Sequence, residues 1–310
     1  MAPPMIDISV VVVNWNACDF LRKCLHSVMD TLRGISYEMI VVDNGSKDGS
    51  ASMVRENFPS VRLIENLRNR GFGAANNQAL QVMKGRYALL LNSDAVLMEG
   101  AAWELYSFME GHAGVGMACG QLLNPDGSKQ NSVAAFPSLV TLLTNAPMLE
   151  YLFPNRYPSK RYSHREPIEV ESGIGACLIV RREAMDAVGL FDERYFFFLE
   201  ETDWAYRMRR AGWKVFHVPG AKIYHYQGQS IGHHIMSRIA FYRARYQFLR
   251  KWHSLPYFLF ACLVIFSRLT INWMLTTVGA TLTLGLVGSL RGRWLRYSKL
   301  ILWHFYRDFA

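Results

Sequence analysis

Short unbroken apolar runs alternate with segments of helical period over the first third of the chain. Asp7–Asn14, Glu38–Asp43, Val61–Glu65 and Tyr87–Asn92 are apolar runs of strand length, the pattern of strands buried in a parallel sheet. Between them, Ala17–Arg33 sets Phe20, Leu21, Leu25, Val28 and Leu32 at helical spacing. Gly49–Asn57 reads as a short helix that ends before Pro59, and Gly73–Met83 as a helix opening on small residues. This alternation predicts an α/β fold whose mostly parallel sheet carries helices on both faces.

The pattern then loosens. Val115–Leu123 reads as a strand, followed by the turn Asn124-Pro125-Asp126-Gly127. Residues 136–168, rich in Pro, Tyr and Arg, have no clean period and predict a loop with helical pieces. Gly173–Val180 reads as one strand, Arg182–Val188 and Thr202–Ala211 as helices, and Lys214–Val218 and Ala221–Tyr224 as short strands. From Gly232 the character changes. Residues 232–252 predict a basic, aromatic helix, Leu255–Ser267 is uncharged and apolar, Arg268 interrupts, and Leu269–Leu290 is a second apolar stretch. That stretch is long enough to span a bilayer, for which about 20 residues suffice. Three arrangements fit: a hairpin inserted in or across a membrane, helices in its interface anchored by Trp273, Trp294, Trp303 and the arginines, or helices packed on protein.

A chain of 310 residues, 51% apolar, has material for a sizeable core in one large or two smaller domains. The net charge is +9, and many basic residues fall late: Arg238, Arg243, Arg245, Arg250, Lys251, Arg291, Arg293, Arg296 and Lys299. Basic residues beside apolar segments point to an anionic membrane surface, with a solvated basic face as the other reading. No nucleic-acid-binding motif accompanies the charge, so nucleic acid is not an expected partner. Cys18, Cys24, Cys119, Cys177 and Cys262 are scattered and form no CxxC pair, which argues against a zinc site or disulfide framework and for a reducing compartment. Met1-Ala2-Pro3-Pro4 leads directly into the first strand, and no signal peptide is expected.

The candidate chemistry lies in a series of carboxylates. Asp43 ends a strand in Val41-Val42-Asp43-Asn44-Gly45-Ser46, Asp94 follows Leu91-Asn92-Ser93, and Glu200-Glu201-Thr202-Asp203 opens an amphipathic helix. Acids at the carboxyl ends of parallel strands face the crevice where open α/β sheets bind ligands. Several around one cleft suit a metal-bound nucleotide and a general base.

Seven segments carry a family resemblance: Val10-Val11-Val12-Val13-Asn14-Trp15-Asn16, Val42–Ser50, Asn69–Asn77, Leu91-Asn92-Ser93-Asp94, Asn124-Pro125-Asp126-Gly127-Ser128, Gly189-Leu190-Phe191-Asp192-Glu193 and Glu200-Glu201-Thr202-Asp203. In this order, over roughly residues 6–230, the chain resembles the family 2 glycosyltransferases of GT-A fold, and among them the bacterial rhamnosyltransferase-like branch. The resemblance implies a Rossmann-like GT-A catalytic domain over 1–230, with a nucleotide-sugar half at about 1–120 and an acceptor half at about 121–230. Residues 231–310 would form a helical, membrane-associating region.

Such transfer requires that the base be gripped, the diphosphate neutralised and the acceptor hydroxyl deprotonated. The resemblance gives Asp43 the first task, with Asn14, Asn16, Asn44, Gly45, Asn69, Gly71, Asn76, Asn92 and Ser93 around the nucleotide sugar. For Asp43 and Asp48 the competing reading is an Asx turn or helix cap, and for Gly73 and Ala74 tight helix–sheet packing. Asn92-Ser93-Asp94 stands where the family has DxD, so Asp94 is the retained ligand for Mg²⁺ or Mn²⁺, with His225 of Tyr224–Ser230 as a late ligand or phosphate contact. An isolated His is as readily structural. Glu200-Glu201 stands for the family's Glu-Asp pair, which makes Glu201 the general base, one methylene longer, with Asp203 catalytic beside it or capping the helix. Helix-start electrostatics is the plainer reading of this cluster. Gly173, Gly175, Ala176, Asp192 and Glu200 would line the acceptor side, with Asp192 also read as ordering its loop.

The implied activity is that of an inverting, metal-dependent hexosyltransferase of surface-polysaccharide synthesis. It would move L-rhamnose from dTDP-rhamnose, or another sugar from a dTDP or UDP donor, to a polyprenyl-diphosphate-linked saccharide at the cytoplasmic face of a bacterial inner membrane. A homo-oligomer is compatible. The alternatives are a galactofuranose, hexose or N-acetylhexosamine donor, a processive synthase, or a non-catalytic glycan-binding scaffold of the same fold. For the synthase, Gln247-Phe248-Leu249-Arg250-Lys251-Trp252 is one residue longer than the Gln-x-x-Arg-Trp signature.

Overall fold

Alternate residues of the buried strands go to opposite faces of one sheet, as the two-residue period requires. The computed structural model describes residues 6–154, 156–158, 160, 165–226 and 235–306. Gln227–Ser230, the tail of the motif around His225, and the first five residues lie outside them. The chain divides into two compact units, Met1–Phe136 with Pro147–Ser230, and Pro137–Ala146 with Ile231–Ala310.

In chain order the elements are β1 (Ile8–Asn14), α1 (Cys18–Thr31), β2 (Tyr37–Asp43), α2 (Ser50–Asn57), β3 (Arg62–Glu65), α3 (Phe72–Leu80), β4 (Tyr87–Asn92), β5 (Ala95–Leu97), α4 (Ala101–Gly111) and β6 (Val115–Leu123). There follow β7 (Val133–Ala134), α5 (Leu139–Leu143), α6 (Ala146–Leu152), β8 (Ile168–Glu169), β9 (Ser172–Gly173), β10 (Cys177–Arg181), α7 (Arg182–Val188), α8 (Glu200–Arg210), β11 (Lys214–His225), α9 (Ile235–Trp252), α10 (Leu255–Leu282) and α11 (Gly288–Tyr306).

The sheet of the first unit has the order β3-β2-β1-β4-β10-β6-β11-β5, with β8 also on β11. Strands β3, β2, β1, β4, β6 and β11 run one way, and β10, β5 and β8 the other, so the sheet is mostly parallel, as expected. Val10, Val12, Val41, Leu89 and Leu91 pack under Leu21 and Leu25 of α1 and Leu105 and Met109 of α4. Val11, Ile40, Val42, Ala88 and Leu90 pack under Ala75 and Ala79 of α3 and Trp204 and Met208 of α8. Each such Val or Leu contributes about 1.5–3 kcal/mol of burial, which is why these strands read so plainly from sequence.

Three features differ from the expected pattern. The run 173–180 is not one strand: β9 pairs with β7, and β10 joins the main sheet after a break at 174–176. The two expected strands at 214–224 are a single β11, with irregular register against β6 between Val218 and Lys222. β5 and α4 were not anticipated, although α4 buries Ala101, Ala102, Leu105, Phe108 and Met109 at helical spacing.

In the second unit, Arg268 does not interrupt a helix. It lies within the 28-residue α10, and its guanidinium donates to the carbonyls of Leu142 and Thr144 at the carboxyl end of α5, where helix carbonyls are unsatisfied. Phe258, Ala261, Val264, Ile265 and Leu269 of α10 cluster with Leu142 of α5, Leu249 of α9 and Leu300 of α11. α10 ends at Leu282 because Leu284 and Gly285 take positive φ, +49° and +71°, which turns the chain into α11.

Candidate active site

The strand order 3-2-1-4 brings the carboxyl ends of β2, β1 and β4 side by side: Asp43 pairs with Asn14, and Asn92 with Val13, one residue before Asn14. Asp43 is buried. One carboxylate oxygen accepts from Asn14 Nδ2 at 3.2 Å and the other from the backbone N–H of Ser46 at 3.0 Å. The two-residue Asx turn is at Asp48, which accepts from Ser50 N at 3.1 Å; Asp43 bonds three residues on, and each of its oxygens keeps acceptor capacity for a ligand N–H. Asn14 Oδ1 and Asn92 Oδ1 are buried acceptors without a partner among the described residues. Asn16 takes a positive φ of +51° and is fixed locally: its Oδ1 accepts from Lys47 N at 2.8 Å, and its N–H donates to Ser46 Oγ at 2.9 Å.

Asn44 has a different part from the expected one. Its Nδ2 donates to Asn69 Oδ1 and Gly71 O, and its Oδ1 accepts from Asn66 Nδ2 and Arg70 N. A primary amide has no further capacity, so Asn44 holds the 66–71 loop instead of touching a ligand. Asn69 Oδ1 accepts also from Gly71 N. A Cβ on Gly45 would meet Arg68 backbone at 2.8 Å, and one on Gly71 would meet Phe196 O at 2.6 Å. Both glycines have positive φ, so they serve close chain approach. Asn76 donates to Phe72 O within its own helix. Its neighbour Asn77, absent from the sequence-based candidates, bonds Phe191 N, Phe191 O and Glu193 and ties α3 to the loop before α8.

On the other side of β4, Ser93 and Asp94 are buried, and Asp94 Oδ1 lies 3.4 Å from His225 Nε2 at the end of β11. Gln130 fixes the imidazole. Its Nε2 donates to Asn124 Oδ1 at 2.8 Å and to His225 O at 2.7 Å, which turns its Oε1 to His225 Nδ1 at 3.0 Å. Nδ1 therefore carries the proton in the neutral ring, and the Nε2 lone pair faces a carboxylate. Two electron-pair donors facing one another suit a shared cation. Among the described residues no three His, Cys, Asp or Glu gather to hold a metal, so a cation here would take its other ligands from phosphate and water, as Mg²⁺ and Mn²⁺ do.

Glu200 and Glu201 begin α8, after Phe198 and Leu199 in the left-handed region at φ +73° and +63°. Such residues cost about 1–3 kcal/mol each and recur where a site must be held in place. Burial pushes both carboxyls up, that of Glu201 to about 7; repulsion from Glu201 raises Glu200 further. Glu201 remains partly exposed, and its Cγ is 3.7 Å from where a Cβ on Gly175 would stand. Gly175 is thus the neighbour that leaves room beside Glu201. Ala176 is buried and accepts from Asn92 N at 3.0 Å, joining the acceptor-side segment to β4. Gly173 packs on Cys119, with no room for a Cβ.

One expected role changes. Asp203 is fully buried, its carboxylate held by Arg207 Nε at 3.0 Å and by the Tyr195 hydroxyl at 3.4 Å. It cannot reach substrate, and it positions α8 in place of the catalytic part expected of it. Arg207 also donates to the carbonyls of Val188, Gly189 and Leu190, clamping the end of α7. Asp192 is chelated by Arg194 at 2.6–3.2 Å, a contact inside the loop it is expected to order.

Asp43, Asn14 and Asn92 end adjacent strands of the sheet, Asp94 and His225 face one another beside β4, and the raised Glu201 carboxyl stands at the start of α8. The sequence profile described as "Glycosyl transferase family 2" matches residues 9–189. The chain belongs to that family. Among relatives of this family 2 glycosyltransferase is the N-acetylglucosaminyl-diphospho-decaprenol L-rhamnosyltransferase of Mycobacterium tuberculosis, 31% identical over 261 residues, covering 79% of this chain and 84% of the relative. The fold is shared with the mannosyltransferase PcManGT from Pyrobaculum calidifontis in complex with GDP-Man and Mn²⁺, at TM-score 0.60, 16% identity and coverage of 96% and 87%. It is also shared with GalNAc-T7 bound to UDP, GalNAc and Mn²⁺, at TM-score 0.61 and 17% identity, covering 80% of this chain and 48% of that one. Both resemblances are of the GT-A fold.

Proposed function

We propose that this family 2 enzyme is an inverting L-rhamnosyltransferase that uses dTDP-rhamnose and a polyprenyl-diphosphate-linked N-acetylglucosamine at the cytoplasmic face of the bacterial inner membrane. The observation that carries the reading is the alignment across most of the mycobacterial rhamnosyltransferase, whose name specifies both sugar and lipid acceptor.

In this reading Asp43 and Asn14 accept hydrogen bonds from the pyrimidine and ribose, in a floor shaped by the loop that Asn44 holds. Asp94 and His225 would hold Mg²⁺ or Mn²⁺, which supplies Lewis-acid charge neutralisation for the leaving diphosphate. Glu201 takes the proton from the acceptor hydroxyl as its oxygen bonds C1 of the sugar and the C1–O bond to the diphosphate breaks. A single displacement of this kind inverts the anomeric centre. A carboxyl near 7 is half ionised at neutral pH, which suits a general base. The apolar, basic second unit would bring the enzyme to the lipid that carries its acceptor.

The test is a donor screen. Purified enzyme with Mg²⁺ or Mn²⁺ is mixed with dTDP-rhamnose, UDP-sugars or GDP-sugars and lipid-linked N-acetylglucosamine diphosphate, and products are read by mass. Rhamnose transfer lost with Glu201→Gln and with EDTA is the expected result. Transfer from another donor alone would remove the rhamnose assignment and keep the mechanism.

A further inference from the structure

We infer that the turn between α10 and α11 enters a single leaflet of an anionic membrane and does not cross the bilayer, an inference that rests on the lipid-acceptor reading above and adds how the protein meets that lipid. α10 is, by length and composition, the candidate for a membrane span among the described residues, with mean hydropathy 1.8. Its buried residues, however, all fall between Phe258 and Leu269. There it packs with α5 and α9, and Arg268 is tied to α5 carbonyls. The helix beyond Leu269, from Thr270 to Leu282, has no buried residue, pairs with α11 and reaches only about 20 Å at 1.5 Å per residue. That is short of a hydrocarbon core of about 30 Å and more than the half of it that one leaflet supplies.

This part has the surface such an insertion needs. Ile271, Leu275, Val278 and Leu282 are 55–80% exposed along one side of α10, and Leu284 and Leu286 in the turn are 84% and 85% exposed. The two helices form a level hairpin, because Trp273 Nε1 donates to Ser298 Oγ at 2.9 Å, and these residues lie almost equally far in sequence from Gly285. With the turn immersed, Trp273 stands roughly 18 Å from the tip, near the depth where indoles gather at the interface. Arg296 stands roughly 17 Å from it, at headgroup level, and Arg291 and Arg293, roughly 9 and 12 Å from it, reach towards that level with their long side chains. The partner's sign is set by charge: residues 235–306 contain ten Lys and Arg and no Asp or Glu.

The test places a thiol at the tip. Leu286→Cys is probed with a membrane-impermeant maleimide in sealed inner-membrane vesicles of both orientations, with the parent chain as blank for the native cysteines. Protection in both orientations, relieved by detergent, is the expected outcome. Labelling from the far side would mean that the hairpin spans, and labelling from the cytoplasmic side that the turn stays out; either overturns the inference, and a doubled mass in the second case would assign the apolar face to a second copy. In flotation, Arg291→Gln/Arg293→Gln/Arg296→Gln should weaken binding to phosphatidylglycerol vesicles on the order of 100-fold, with little change for phosphatidylcholine. An equal effect on both would remove the charge argument. Neither readout uses sugar transfer, so failure here and failure of the transferase reading are separable.

Discussion

Glu201 decides most at the scale of single residues. Its carboxyl, raised by burial from the ordinary 4.5 to about 7, must lose its proton to act as the proposed base. kcat/KM should therefore climb about tenfold per pH unit below 7 and level off above it. Glu201→Gln should lose about 10²–10⁴ of the rate and abolish that limb. The linkage sign tells lost chemistry from lost fold: the native state holds this proton more tightly than the unfolded chain, so stability falls as pH rises from about 4.5 to 7. Glu201→Gln removes the effect, and its melting temperature at about pH 8 should equal or exceed that of the parent. Gln130 acts one bond further from the chemistry. Gln130→Leu frees the His225 ring to rotate or change tautomer, and should weaken Mn²⁺ binding about 10–100-fold in a paramagnetic-resonance titration with dTDP present.

Elements hold these residues, and α8 shows how. Its first turn must carry two crowded carboxyls after two left-handed residues, and the clamp from Arg207 to Asp203 and the 188–190 carbonyls offsets that cost. Arg207→Met removes the positive charge that faces the buried Asp203 and should cost about 3–5 kcal/mol in urea unfolding. Such a clamp is not visible in a sequence. Asp203 stood beside Glu201 and read as catalytic or as a helix cap, whereas its partner Arg207 lies one helical turn on. The strands were plain, because burial on both faces leaves unbroken apolar runs. The site was legible where an acid ends such a run, at Asp43 and Asp94. Gln130, Asn77 and Asn66 were not, since only the chain's return places them, and Asn44 drew notice as a ligand although its amide is consumed by a loop. Arg268 misled for the same reason: charge within an apolar run looks like a boundary until the carbonyls that receive it are known.

Over the whole molecule the charge is partitioned. Residues 1–234 carry 23 Lys and Arg against 24 Asp and Glu, while 235–310 carry 11 against one, so the +9 belongs to the last quarter of the chain. A sugar nucleotide is itself anionic, and a basic surface near its site would serve donor capture equally well, which makes the position of the charge a question for kinetics. If it serves the membrane, transfer to a long polyprenyl acceptor in anionic vesicles should fall steeply as salt is raised towards about 1 M, where screening acts within a few ångström. Transfer to a short, water-soluble acceptor should change little over the same range, because the nucleotide contacts assigned to Asp43, Asn14, Asp94 and His225 involve no lysine or arginine. Measured side by side with one donor, the two acceptors divide the explanations: a common fall in both would move the basic residues from lipid capture to donor capture, and a fall confined to the lipid acceptor would leave them at the membrane.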